Sequence, residues 1–309
     1  MKQSLVLILT LLSLQGFSQK YQGSIGNYPI YLELEDSDSD PIYASYFYKS
    51  HLKNIQLEGR STETGFIFWE KYATESKSNE VFELEKVGDD LVGQWKNKNK
   101  ILSVKLSPCK VNFGSILESH ITFLRDSVEK FGDKELVWFT EKYSKIPGFR
   151  LGNGFTKKQR EFINPQLDTM QKYHAFTFLD CEDFYVDFEI GLITDEYFCF
   201  TKTSSVYCGG AHPGHSLETF NYNLQTLQQI RNLEEIYPNN KFLELLKIKY
   251  QDDEDYEMEC DYFTDLKAYH WEYLEWVLTE NGLMIIPIFP HAMTPCRRPF
   301  LVLYEEMKN

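Results

Sequence analysis

The sequence predicts two fold classes in series: an N-terminal all-β small barrel or sandwich, followed by an α+β domain with an antiparallel sheet and flanking helices. Between residues 21 and 106, apolar and polar residues alternate in seven short runs separated by polar turns, a pattern typical of an all-β meander. After Ser107-Pro108, helical spacing is mixed with strand-like runs but without regular βαβ repetition. We therefore place a domain boundary near residue 110, with domains over 19–110 and 111–309.

The first domain contains only strand-like elements, and no histidine or acid cluster in it marks a catalytic centre. The period-two alternation requires one face of each strand to be buried. The predicted strands are 30–34, 42–48, 55–59, 65–70, 81–84, 91–95 and 101–106.

The second domain mixes both periods. The residue spacing predicts helices over 114–130 and 156–173, the latter with Thr156 as its N-cap and a break at Pro165. The further predicted helices are 240–250 and 265–273, and the predicted strands are 183–190, 196–206, 284–289 and 300–304.

The first eighteen residues have the pattern of a secretory signal peptide. Lys2 precedes the apolar run 5–14, and small residues follow at Gly16 and Ser18. We expect cleavage after Ser18 and a secreted or periplasmic protein. No later run reaches the length of a membrane-spanning helix.

The composition is acidic, with a formal net charge of −14 over 309 residues. Phosphate binding requires clusters of Lys and Arg, so nucleic acid is excluded as an expected partner. The charge is compatible with a cationic protein ligand, whose encounter it would accelerate, and equally with solubility alone.

Six cysteines form an even set without CxxC spacing, which in an exported chain favours disulfides over zinc or redox motifs. Spacing does not choose among the possible pairings, and buried free thiols remain an alternative for some of them. The cysteines are Cys109, Cys181, Cys199, Cys208, Cys260 and Cys296.

A glycine- and histidine-rich run at 207–215 is the principal candidate site. Its glycine pair suits a tight turn, and its histidine rings could face a ligand. The same histidines, with His291, could instead bind zinc or copper, although the helical HExxH form is absent. The candidate ligand-binding residues are Tyr207, Gly209, Gly210, His212, His215 and His291.

Signals for catalysis are weak. The chain has no GxSxG nucleophile motif, and a disulfide competes with any Cys/His role for Cys208. We predict no catalytic residue and no cofactor. An aromatic cluster over 262–276 could stack on sugar rings, or could form the core of a helix.

The first domain resembles a small β domain found near the N-terminus of exported Bacteroidetes proteins. The resemblance is carried by GxIGxYPI at 23–30 and GxW at 93–95. It implies no particular chemistry.

From about residue 160 onward, the chain resembles the C-terminal domain of RsiV-type anti-sigma factors, a domain of unknown function also found beside polysaccharide deacetylases. The matching segments are the AHP-containing glycine run, the strand 217–226, the motif 232–237, the strand-turn-strand 276–285 and the closing strand 301–307. The resemblance implies an extracytoplasmic α+β binding domain, which in RsiV-type proteins binds lysozyme. The segment 291–298 departs from the family pattern.

These observations together predict an exported binding protein of the cell envelope that recognises a basic protein such as lysozyme or an envelope glycan. The alternative is a metal-dependent hydrolase that uses His212, His215 and His291.

Overall fold

The computed structural model describes residues 19–35, 40–71, 80–181, 183–209, 211–237, 245, 274–288 and 299–308. Over these residues the protein is mostly β, with a closed barrel and three smaller antiparallel sheets. Two α-helices of eight or more residues occur within the described ranges.

The N-terminal strands form an eight-stranded antiparallel barrel, which selects the barrel from the two predicted alternatives. The first strand pairs with the last, for example Gly23 with Leu106, so the sheet has no free edge. Alternate side chains fill the interior, as Ile30, Leu32 and Leu34 do in the second strand. The strands are β1 (Gln19–Ile25), β2 (Tyr28–Leu34), β3 (Ile42–Tyr48), β4 (Ile55–Ser61), β5 (Gly65–Glu70), β6 (Val81–Val87), β7 (Asp90–Asn97) and β8 (Lys100–Pro108).

The glycines of the Bacteroidetes-type motifs have structural roles in this barrel. A Cβ atom on Gly23 would overlap the carbonyl oxygen of Lys105, and one on Gly93 would overlap that of Glu83. Gly26 lies in the β1–β2 turn with a φ of +55°. Glycine is therefore needed at Gly23 and Gly93 because the neighbouring strands approach closely there.

The predicted helix over 114–130 is wrong beyond its first two turns. Helix α1 (Phe113–His120) is capped by the Asn112 side chain, and strand β9 (Phe123–Phe131) then begins. β9 pairs with β10 (Lys134–Glu141), which pairs with β11 (Pro147–Leu151). The apolar residues that suggested a longer helix include Leu124 and Val128, which are exposed on β9, so strand pairing prevailed over the helical period.

Helix α2 (Lys157–Asp180) confirms the N-cap predicted at Thr156, whose side chain accepts from the Gln159 backbone in a capping box. The predicted break at Pro165 is wrong, because the helix continues for four more turns. Pro165 lies on the exposed face, where water can satisfy the carbonyl group that loses its partner. Burial of neighbouring apolar residues on the opposite face holds the helix together.

The C-terminal half is built around a four-stranded sheet that is covered on both faces. One face packs Phe198, Phe200 and Tyr222 against β9–β11 and α2. The other face packs Cys199 and Ile230 against a three-stranded sheet. The central strands are β12 (Asp183–Ile193), β13 (Tyr197–Tyr207), β14 (Gly214–Asn223) and β15 (Gln228–Ile230), and the outer strands are β16 (Leu274–Leu278), β17 (Gly282–Pro287) and β18 (Phe300–Leu303).

The strands predicted near 183, 196, 284 and 300 are thus present, but the helix-flanked α+β description holds only in part. The single long helix α2 flanks one face of the central sheet. Strands β16–β18 cover the other face of that sheet. The predicted helices 240–250 and 265–273 lie outside the described residues, apart from Leu245. The domain boundary near residue 110 stays a prediction.

The barrel contacts the C-terminal half at the end of α2. Phe47 and Leu52 of the barrel share an apolar cluster with Phe113, Ile116 and Leu179. Lys53 Nζ donates to the carbonyls of Phe178 and Cys181, so a cation caps the negative end of the helix.

We expect Phe149→Ala to lower the free energy of unfolding by roughly 3–5 kcal/mol, since it removes a fully buried ring from the core. Urea unfolding measures the difference. Tyr185→Ala, which truncates an exposed tyrosine on β12, is the control and should cost less than about 0.5 kcal/mol. Similar losses in both variants would contradict the packing. The rings within 6.1 Å of Phe149 are Trp138, Phe188, Phe198 and Phe200.

His174 on α2 predicts a pH dependence of stability. Only 2% of the residue is exposed, and its Nδ1 has no hydrogen-bond partner among the described residues. Burial, assisted by the charge of Lys202, lowers its pKa from 6.5 to about 4. Between these values the unfolded chain binds the proton and the folded chain does not, so stability falls as pH drops from 6.5 towards 4.

His174→Phe should remove up to about 3 kcal/mol of the stability difference between pH 7 and pH 4, as measured by urea unfolding at both pH values. His51→Gln changes an exposed histidine and should keep the full difference. An unchanged pH dependence in the His174 variant would show that folding does not lower the pKa of this ring.

Candidate functional site

The predicted glycine-histidine run is the tip of the β13–β14 hairpin. β13 ends at Tyr207, and β14 begins at Gly214, with His215 paired to Ser205. Gly209 has a φ of +90°, as a tight turn requires. The structure therefore brings Tyr207, Gly209, His212 and His215 to one tip. Gly210 and His291 lie outside the described residues.

A disulfide anchors this tip to the end of α2. Cys208 bonds to Cys181, the C-cap residue of the helix, with a Cα–Cα distance of 4.1 Å. The bond closes a segment with a sequence separation of 27. Because its sulfur is engaged in this bond, Cys208 cannot serve as a thiolate nucleophile.

The expectation that the cysteines pair is thus met for one pair, and it is wrong for two of the others. Cys109 and Cys199 are free, whereas Cys260 and Cys296 lie outside the described residues. Cys199 is fully buried between two sheets, and burial raises its pKa to about 12. It behaves as a small core hydrophobe, as the alternative interpretation allowed.

The metal hypothesis is not decided at this hairpin. Within the described ranges, no group of three or more His, Cys, Asp and Glu side chains is arranged to hold a metal ion. The hypothesis needs His291, which is not described, so it stays a prediction. Of the aromatic cluster proposed to stack on sugars, the described member Trp276 is a buried core residue of β16.

A separate cleft, which the sequence did not reveal, lies where three hairpin turns meet. The β9–β10, β12–β13 and β16–β17 turns surround a cavity of about 670 Å³. Gly191 permits the approach of β12 to β16, because a Cβ atom there would lie 2.6 Å from the Leu278 carbonyl oxygen. The lining residues come from 131–134, 189–195 and 279–281.

The charge of the cleft is strongly negative. Its lining includes the exposed acids Asp133, Glu189, Asp195 and Glu280 and the single cation Lys134. Lys134 is only 5% exposed, and its Nζ lies 2.5 Å from Asp195 Oδ1 and 3.4 Å from Asp133 Oδ1. The hydrogen bond to Asp195 raises the pKa of Lys134, so the lysine stays charged. The cleft lining therefore holds four carboxylates and one ammonium group, and Asp133 and Asp195 pair with that group.

Two of the three turns are fixed by side-chain hydrogen bonds. Thr194 Oγ1 accepts from the backbone N–H groups of Glu196 and Tyr197 at 3.1 and 2.9 Å. Thr279 Oγ1 donates to the Gly282 carbonyl at 2.9 Å. These bonds pre-organise the cleft, which reduces the entropy lost on binding.

The cleft and the hairpin tip lie at opposite ends of the central sheet. β13 begins at Tyr197, next to the cleft, and ends at Tyr207, at the tip. Its eleven residues span roughly 35 Å in extended conformation. The two surfaces therefore cannot contact the same small ligand.

The described chain is thus a mostly β protein with an eight-stranded barrel and stacked smaller sheets. No protein-family profile matches the sequence. No curated protein matches it either. No helix within the described residues is both long and apolar enough to span a membrane.

Solved structures do show a similarity. One is a DUF3298 family protein from Pseudomonas aeruginosa PAO1, with 10% sequence identity and a TM-score of 0.33. The match covers 61% of this chain and 92% of that protein. With so low a TM-score, the similarity supports no inference about this chain's fold or function.

We expect the double variant Cys181→Ser/Cys208→Ser to lose about 3–4 kcal/mol of unfolding free energy, because the unfolded chain regains the entropy of the open loop. Urea unfolding under non-reducing conditions measures the loss. Cys109→Ser, at a free cysteine, should change stability by less than about 0.5 kcal/mol. Equal stability of the double variant and the wild type would contradict the bond.

Proposed function

We propose that this protein is an exported binding protein of the cell envelope that accepts a cationic segment of a protein partner in the three-turn cleft. The observation that carries the proposal is the arrangement of four exposed carboxylates around a cavity of about 670 Å³ whose single lysine is already ion-paired. An added Lys or Arg side chain would find carboxylate acceptors there without a competing free cation in the cleft lining.

The charge of the whole chain supports a cationic partner. A net charge of −14 attracts a basic protein over distances comparable with the Debye length, and the cleft then supplies a local complement. Such binding acts mainly through the association rate, and it weakens as salt increases.

A basic protein such as lysozyme is the partner that we propose. The resemblance of residues 160–309 to RsiV-type domains supports this choice, since those domains bind lysozyme. An extracytoplasmic location is supported by the signal-peptide pattern of residues 1–18 and by the Cys181–Cys208 disulfide, which is typical of oxidising compartments. The glycine-histidine hairpin, at the far end of the central sheet, is a second surface that a large protein partner could contact.

No observation on the described residues favours the metal-dependent hydrolase, and its third proposed ligand, His291, lies outside them.

Glu189→Gln/Glu280→Gln should weaken binding to immobilised hen lysozyme roughly five- to tenfold at about 50 mM salt, because two rim charges are lost. Biolayer interferometry measures the dissociation constant and the association rate. The matched control is Glu63→Gln/Glu85→Gln, which removes two exposed acids from the barrel. It therefore has the same net charge as the cleft variant.

A similar loss of affinity in the Glu63→Gln/Glu85→Gln control would assign lysozyme binding to the overall charge and contradict a role for the cleft. If the wild-type protein does not bind lysozyme at low salt, lysozyme is excluded as the partner. If it binds neither cytochrome c nor oligolysine as well, the proposal of a cationic partner is overturned.

A further inference from the structure

A second pocket, unrelated to the cleft, opens at one end of the barrel. In an up-and-down barrel, alternate turns lie at the same end, which here brings together the β1–β2, β3–β4 and β7–β8 connections. They surround a pocket of about 340 Å³. This volume is at the lower end of the range for small-molecule sites, and barrel mouths are common places for such sites. Its principal lining residues are Tyr28, Tyr48, Trp95, Asn97, Asn99 and Lys100.

One aromatic ring of the pocket is exposed at its rim. Tyr28 is 55% exposed on the rim, and its ring meets that of Tyr48 edge to face at 6.3 Å and 87°. Tyr48 in turn packs against Tyr46 at 5.5 Å. A half-exposed ring that rests on the partly buried Tyr48, itself packed on the buried Tyr46, offers a flat surface for a ligand.

Hydrogen bonds fix the rings of Tyr46 and Trp95, of which Trp95 lines the pocket. Tyr46 Oη and Trp95 Nε1 both donate to Glu80 Oε2, at 2.9 and 3.2 Å. Burial and the neighbouring Glu80 carboxylate raise the pKa of Tyr46, so its hydroxyl keeps its proton and remains a donor. The two rings are therefore held in one orientation before any ligand arrives.

The opposite wall of the pocket is polar. Asn97 Oδ1 accepts from the backbone N–H groups of Asn99 and Lys100, both at 3.0 Å, and so fixes the β7–β8 turn. Asn99, Lys100 and the Ser50–His51 pair, joined at 2.7 Å, add amide, ammonium, hydroxyl and imidazole groups. The wall can both donate and accept hydrogen bonds.

This combination selects one ligand class. A cation is disfavoured by Lys100, and an anion is disfavoured by Glu80, which is hydrogen-bonded to Trp95, and by the acidic chain. A purely apolar ligand would leave the polar wall unpaired. A sugar ring has an apolar C–H face and hydroxyl edges, which match the tyrosine surface and the amide wall respectively.

We propose that the barrel mouth binds one pyranose ring of a neutral glycan, with the ring stacked on Tyr28 and its hydroxyl groups bonded to the Asn97–Lys100 turn. This site is independent of the cleft, so the two ligands are tested separately.

The test uses the full chain in affinity gel electrophoresis with soluble β-glucan, mannan, xylan, galactan and glycol chitin as probes. We expect at least one of these probes to retard the wild-type protein. Tyr28→Ala should raise the dissociation constant for that probe at least about fivefold, because the stacking surface for the sugar ring is lost. Tyr28→Phe should retain most of the affinity.

Tyr185→Ala removes a tyrosine of similar exposure (57%) from β12 and is the matched control. Retardation by none of the five polysaccharides would overturn the proposal, as would equal loss in the Tyr28 and Tyr185 variants. Tyr28→Ala should leave lysozyme binding unchanged, because the barrel mouth and the cleft share no lining residue. A failed glycan test would therefore leave the proposal for the cleft standing.

Discussion

The fold of the C-terminal half depends on the burial of both faces of the sheet β12–β15. Side chains alternate along β13, so Phe198 and Phe200 enter the aromatic core while Cys199 enters the core shared with β16–β18. A slip of one residue would exchange the two sets, placing a small thiol among rings and large rings in a close interface.

Asn221 strengthens this register. It is buried, and its side chain donates to the Trp276 carbonyl at 2.8 Å and accepts from the Leu278 N–H at 3.2 Å, which ties β14 to β16.

This constraint also positions the surfaces. Because β12 and β13 are long and rigidly held, their two ends carry different features. One end meets the β9–β10 and β16–β17 turns and forms the acidic cleft. The other end carries the glycine-histidine hairpin, which Cys208 fastens to α2. The same end of α2 contacts the barrel through Lys53 and the cluster around Leu179. Packing from the cleft to the barrel is therefore continuous.

The two proposed sites differ in chemistry. The cleft presents carboxylates around an ion-paired lysine, which complements a cationic protein surface. The barrel mouth presents supported tyrosine rings beside an amide-rich turn, which complements an uncharged ring. A protein with both sites could hold a basic protein and an envelope glycan at the same time. Charge would dominate the first interaction and stacking the second, so salt should affect them differently.

The sequence by itself determined the features that depend on local patterns. Period-two alternation predicted seven of the eight barrel strands, because each barrel wall has one buried face, and missed β1. Thr156 predicted the start of α2 through its own capping bond. It misassigned residues 123–131, because the helical spacing of Leu124 and Val128 is also compatible with a strand that pairs with β10. It placed the candidate hairpin tip through its glycines, but it could not choose the Cys181–Cys208 pair or find the cleft and the barrel mouth. Those arise where residues distant in sequence meet, as Lys134 meets Asp195 and Tyr28 meets Tyr48, and only the packing of the sheets decides such contacts.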